Sequence, residues 1–336
     1  MKLYLFLLST SMALAAPQMP DGRPCHLEPV RPKHKPSQHK KSREKSLPTN
    51  RATLSPAGHF SALEAAFAEK DWKSAIEQAK IIEANFRENP LYKPARFQAA
   101  LAYYNTDHFV EANRALTDYL SAGLSEHFQE ALSYKFEIAQ KFGKGKSGRY
   151  SFIKKIFTER SFLERAIEIY DDILLYAPSS DLAAYALFHR AQLEMMSQDY
   201  EGSIASFRVL IHDFIGHQLL PQAYFGIAQT HYARYEKERS KAPDHLDLAL
   251  VNLEAFERAY PTHELLDKTR SLYSDMRSAL AWELYEVGRY FERRGKPKAA
   301  ALYYHSICDK YPQTPAAREC REKRAKVMNC EKPAGS

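Results

Sequence analysis

The sequence predicts an all-α fold, a solenoid of helix pairs, and three observations carry that prediction. From about residue 58 onward, apolar residues recur at helical spacing, Gly and Pro fall mainly between the periodic runs, and β-branched clusters are rare. Gly numbers only 12 in 336 residues, which argues against a Gly-rich all-β chain and against a collagen-like one. A small–bulky–bulky–Pro pattern returns at wide intervals, as repeated units do.

The elements follow in order. Lys2, the apolar run Leu3 to Leu8 and the small-residue end Ala13-Leu14-Ala15 read as a secretory signal peptide over residues 1–15. The run is shorter than the ~20 apolar residues of a membrane-spanning helix. Cys25 follows Gly22-Arg23-Pro24 well past the run, so acylation of a cysteine directly behind the signal is disfavoured. Residues 16–57 combine Pro, Lys, Ser and His with almost no large apolar side chain, as in Arg31-Pro32-Lys33-His34-Lys35-Pro36, and read as a disordered basic tail. The net charge of +7 belongs to this front: Lys2 and the nine Lys/Arg from Arg23 to Arg51 outnumber Asp21, Glu28 and Glu44, and residues 52–336 carry 38 charges of each sign. An anionic lipid surface or an acidic partner fits such a tail, at ~1 kcal/mol per basic residue; a solvated spacer is the alternative. Nucleic acid does not fit, because the tail has no Phe, Tyr or Trp to stack on bases.

Residues 58–328 hold the repeats. Ala166, Tyr170, Ile173 and Pro178 share their spacing with Ala249, Leu253, Phe256 and Pro261, and with Ala300, Tyr304, Ile307 and Pro312. This is the second half of a tetratricopeptide repeat, in which Ala lets two antiparallel helices approach, the bulky pair fills the seam and Pro ends the unit. Leu284, Gly288 and Phe291 give the last copy its first half. Weaker copies precede it. Asp71-Trp72-Lys73-Ser74-Ala75-Ile76 opens a second helix after one over Ala62 to Phe67; Ala100, Tyr103, Ala112, Leu116 and Tyr119 mark another pair; Ala191, Ser203, Phe207 and Leu210 mark another, with Ser203 at the close-packing point. The count is about six pairs of ~34 residues, then a capping helix near Ala317 to Met328 and a disordered end at 329–336.

Insertions interrupt the period at Lys141 to Arg149 and at Glu236 to Asp244. The first contains Gly145-Lys146-Ser147, but a phosphate loop needs Gly where Gln140 stands, and no strand precedes it. Asp171 and Asp172, adjacent on a helix, point apart and make a poor acid–base or metal pair. No His-Glu-x-x-His, Gly-x-Ser-x-Gly or dinucleotide fingerprint occurs. His189 and His231 read as groove-lining or partly buried, and Trp72 and Trp282 as core. The expectation is a chain that binds rather than catalyses, with no cofactor and no metal.

Cys308 and Cys320 fall on consecutive helices on either side of Pro312 and Pro315, so an antiparallel turn brings them level. Cys320 and Cys330 on one straight helix would stand ~15 Å apart, beyond bridging distance. If a disulfide forms in an exported chain, it joins Cys308 to Cys320; free buried thiols are the alternative.

The stretch Glu69-Lys70-Asp71-Trp72-Lys73-Ser74-Ala75-Ile76-Glu77-Gln78, followed by Ala99-Ala100-Leu101-Ala102-Tyr103-Tyr104, resembles the BamD family, the tetratricopeptide subunit of the bacterial outer-membrane β-barrel assembly machine. Closer still is Leu284-Tyr285-Glu286-Val287-Gly288-Arg289-Tyr290-Phe291-Glu292-Arg293-Arg294-Gly295, followed by Tyr311-Pro312-Gln313-Thr314-Pro315. The likeness covers about 60–120 and 245–325. It implies a periplasmic scaffold, peripheral to the inner face of the outer membrane. Its N-terminal repeats would take up unfolded outer-membrane proteins and its C-terminal repeats would dock the barrel-forming assembly subunit. The chain departs from the family in lacking a lipidation context after the signal and in carrying the basic tail. Arg258, Arg289, Arg293 and Arg294 lie in the family-like stretch and are docking candidates, since Arg is enriched at binding hot spots. Another periplasmic adaptor, serving the Tol-Pal or peptidoglycan systems, is the alternative; the Pro-rich segment before the repeats excludes the coiled coil of one such group.

Overall fold

The computed structural model describes residues 51–121, 123, 126–145, 159–238 and 242–330. The signal peptide, the tail up to residue 50, Lys146 and Ser147, the middle of the Glu236 to Asp244 joint, and residues 331–336 lie outside the described residues. The helices are α1 (Pro56–Ala68), α2 (Trp72–Asn85), α3 (Tyr92–Asn105), α4 (Phe109–Ser121), α5 (Phe128–Gly143), α6 (Glu159–Tyr176), α7 (Asp181–Met196), α8 (Tyr200–Asp213), α9 (Leu220–Lys237), α10 (Ala242–Ala259), α11 (Glu264–Arg293), α12 (Pro297–Lys310) and α13 (Pro315–Cys330). They make six antiparallel pairs and a closing helix, with no strand among the described residues. All fall in the unit that begins at Asn50.

Short polar residues start the helices. Ser55 caps α1 by accepting from the Gly58 amide at 3.2 Å, with Pro56 in the first turn. Helix α1 therefore takes in the last two residues of the segment expected as tail. Asp71 caps α2, Ser180 caps α7 and Asp199 caps α8 in the same manner.

Four turns inside pairs share one backbone. Lys70, Asp107, Gln198 and Gly295 have φ of 59°, 62°, 67° and 66°. After each, an amide reaches back five residues: Asp71 to Ala66 (2.9 Å), His108 to Tyr103 (2.8 Å), Asp199 to Glu194 (2.8 Å) and Lys296 to Phe291 (3.0 Å). This is the left-handed closure of a helix C-terminus, which normally recruits Gly. Three of the four positions carry a side chain instead, so residue type hides a repeat that the backbone displays.

Odd-numbered helices meet their odd neighbours at α1/α3, α5/α7, α7/α9, α9/α11 and α11/α13, whereas even-numbered helices meet closely only at α4/α6 among the described residues. Helix α11 departs from the plan. At 30 residues it spans α9, α10, α12 and α13. Its N-terminal half buries Leu266, Thr269 and Met276, and its C-terminal half buries Leu280 and carries the expected Gly288. A Cβ there would stand 2.6 Å from Tyr304 Cε1, so only Gly lets α11 and α12 approach this closely. Ser203 is fully buried at its close-packing point and bonds Thr230 of α9 at 3.1 Å.

Candidate protein-interaction surfaces

Buried charges hold the first helices in register. Arg96 on α3, 4% exposed, donates to Glu83 of α2 at 2.7 Å and to Asp118 of α4. Lys135 on α5, fully buried, spends its three donors on Asn113 and Thr117 of α4, each at 2.7 Å, and on Asp172 of α6 at 2.8 Å. Burial lowers the Lys135 pKa while the Asp172 carboxylate opposes that shift. Asp171 serves the other side, meeting Arg190 of α7 at 3.2 Å. Arg190 also pairs with the buried Glu194 at 3.1 Å, and Ser206 of α8 donates to Glu194 at 2.6 Å; burial raises the Glu194 pKa. The adjacent aspartates thus pin opposite neighbours. Each of these charged groups is engaged by structural partners.

Aromatic side chains form two clusters among α3–α7, one between α3 and α5 and one joining α5 to α6 and α7. Tyr104 donates to Glu137, packs edge-on against Tyr134 with centroids 5.0 Å apart, and lies 4.7 Å from the Lys141 ammonium. Burial, reinforced by Glu137, pushes the Tyr104 pKa up. His189 stacks on Tyr170, meets Phe136 edge-on and bonds Gln192 at 3.2 Å. Its pKa is lowered, chiefly by burial. The two clusters present half-buried rings, with Tyr104 and His189 each hydrogen-bonded to a neighbouring side chain.

The C-terminal end presents a second surface. Trp282 on α11 is 39% exposed and meets the Tyr285 ring edge-on at 5.1 Å, so the residue expected as core projects outward. Lys323 of α13 bonds Glu292 at 2.6 Å and lies over the Tyr285 and Tyr304 rings at 5.5 and 5.6 Å; Tyr304 donates to the same carboxylate at 2.8 Å. The Lys323 and Tyr304 hydrogen bonds lower the Glu292 pKa against its partial burial. Tyr290, 47% exposed, lies under the Arg294 guanidinium at 5.4 Å.

The four arginine candidates separate. Arg289 and Arg293 stand one turn apart on α11, Arg294 closes that helix, and Arg289 bonds Glu286 at 3.1 Å. Arg258 lies in the last turn of α10, beside Glu257, whose carboxylate holds Arg270 of α11 at 2.8 Å. Arg270 and Arg289 are nineteen residues apart on one helix, about 28 Å. Arg258 therefore belongs to another surface. Cys308 and Cys320 both carry free thiols, Cys320 buried and Cys308 half-buried. His231 is more buried than expected, at 1% exposure with both ring nitrogens lacking a hydrogen-bond partner. Among the described residues, no group of three or more His, Cys, Asp or Glu is placed to hold a metal ion, and no helix is long and apolar enough to cross a membrane.

Sequence reasoning missed the buried pins and the early start of α11. The unbroken stretch from Glu264 to Val287, free of Gly and Pro, was the available signal for the helix. The pins on Arg96 and Lys135 join residues 13 to 37 positions apart and leave no local pattern.

Three solved structures are similar to this chain. A tetratricopeptide repeat protein from Parabacteroides merdae shares 15% identity at a TM-score of 0.33, over 82% of this chain and 99% of its own. The C-terminal part of a tetratricopeptide-containing protein from Cytophaga hutchinsonii shares 15% at 0.31, over 78% and 98%. The P58(IPK) tetratricopeptide domain shares 13% at 0.31, over 82% and 79%. No curated protein matches the chain. The model of the YfiO family, described as an outer membrane lipoprotein, matches residues 153–328, just over half of the chain and all of α6–α12. On that match, the chain belongs to the YfiO family of outer membrane lipoproteins.

Proposed function

We propose that the chain is a non-enzymatic scaffold of the outer-membrane β-barrel assembly machinery, exported to the periplasm and held at the inner face of the outer membrane. The family membership carries this reading, because the matched region includes the exposed Trp282, Tyr290 and arginine surface at the end of α11. That surface docks the periplasmic part of the barrel-forming subunit through Trp282, Arg289, Arg293 and Arg294. The aromatic clusters among α3–α7 take the extended C-terminal segment of an unfolded outer-membrane protein. The basic tail supplies an electrostatic contact with anionic lipid.

Binding of the purified periplasmic domains of the barrel-forming subunit tests this docking. Trp282→Ala and Arg289→Glu should each weaken it by roughly 30-fold, about 2 kcal/mol. Arg258→Glu, on its separate surface, should leave it within twofold. Equal loss in all three, or loss confined to Arg258→Glu, would move the docking site away from the end of α11.

A further inference from the structure

Cys308 on α12 and Cys320 on α13 face the seam between those helices. Cys308 Sγ stands 3.7 Å from the carbonyl oxygen of Ala317, one turn before Cys320 and on the same helix face. Both side chains pack in the core formed by α9–α13. Burial first, and the Cys308 thiol beside it second, push the Cys320 pKa up to about 12.

We propose that Cys308 and Cys320 are a cross-linking site that staples the capping helix α13 to the last repeat in an oxidising compartment. The compartment rests on the exported reading above; the pairing rests on the seam itself. The oxidant is a disulfide, either of a protein or of a small thiol. Cys308, the more open of the two, attacks it, giving a mixed disulfide and releasing one thiol. The Cys320 sulfur then attacks the Cys308 sulfur, forming the internal bond and releasing the second thiol. Two cysteines lose two protons and two electrons, and the oxidant gains them. With α13 docked, Cys320 keeps its proton and is closed to solvent, so this second step is slow; before docking it is open. The bond therefore forms while the chain folds and persists once it has folded. It fixes Lys323 over Tyr285, Tyr304 and Glu292, and so fixes one edge of the C-terminal surface.

The full chain, reduced and unfolded, is refolded with oxidised glutathione, and already folded reduced protein is incubated in the same buffer. Free thiols are alkylated and peptides are mapped without reductant. The expected result is a Cys308–Cys320 link in most refolded molecules, formation at least several-fold slower in the folded protein, and a thermal midpoint that drops by several degrees on reduction. Cys308→Ser should lose both the link and the reductant-sensitive shift. A free Cys308 after oxidative refolding, or a link from either residue to Cys25 or Cys330, would overturn the pairing. Protein alkylated directly from cell envelopes reports on the compartment separately. A reduced pair there, beside a linked pair in refolded protein, would count against export while supporting the pairing.

Discussion

Between α2 and α8 each stacking step carries a buried ion, Arg96, then Lys135, then Glu194. From α9 to α13 the buried polar side chains are Thr230, His231, His245, Asn252, Thr269 and Thr314, with no Lys, Arg, Asp or Glu among the described residues. The same helix-pair plan is thus held by two chemistries. In the first region a displaced helix would leave a buried charge unpaired, so the ions specify register more than they add stability. In the second, a glycine contact, tyrosine packing and one long helix do the holding, and Arg289, Arg293 and Arg294 remain at the surface.

Removing a pin is the most damaging way to break this contrast. Asp172→Ala leaves the fully buried Lys135 without its carboxylate and should lower unfolding free energy by about 3–5 kcal/mol in urea titrations. Lys135→Met, which deletes the charge and keeps the volume, should cost much less. Equal losses for the two variants would mean that packing, not the ion, holds the step.

The helix pairs were readable because Ala166, Ala249 and Ala300 report a packing need that only small residues meet. The left-handed turns were not, because Lys70, Asp107 and Gln198 occupy positions whose usual marker is Gly. At the candidate site, sequence reasoning named Arg289, Arg293 and Arg294, and the structure places them together at the end of α11. Sequence reasoning could not see that the unbroken α11 sets Arg289 about 28 Å from Arg270, whose partner Glu257 adjoins Arg258, nor that Trp282 faces outward.

Acid should act on the second region. Burial, helped by Arg208, His245 and Arg234, lowers the His231 pKa to about 4, and burial followed by Arg234 lowers His245. A lowered imidazole means that the unfolded chain takes the proton first. Stability is therefore intact above pH 6.5 and is lost as pH falls from there toward 4, with His231 alone contributing on the order of 3 kcal/mol. Glu194, raised by burial, runs the other way, since the folded chain takes its proton first. Hydrogen exchange at pH 5 should show α9–α13 opening before α3–α8; uniform opening would remove the distinction.

Gly288→Ala pushes a methyl group to 2.6 Å from the Tyr304 ring and should cost about 1–3 kcal/mol. Tyr304→Leu in the same chain should recover part of that loss. The smallest effect is a gain: Lys70→Gly relieves the left-handed strain of the first turn and should stabilise α1 and α2 by about 1 kcal/mol. A loss there would mean that the Lys70 side chain contributes more than its backbone costs.

Affinity capture of the mature chain from solubilised envelopes, with wild type beside Trp282→Ala and Arg258→Glu, tests the scaffold reading most directly. The barrel-forming assembly subunit should be recovered with wild type and with Arg258→Glu, and be strongly depleted with Trp282→Ala. Recovery of Tol-Pal or peptidoglycan enzymes without that subunit would contradict it.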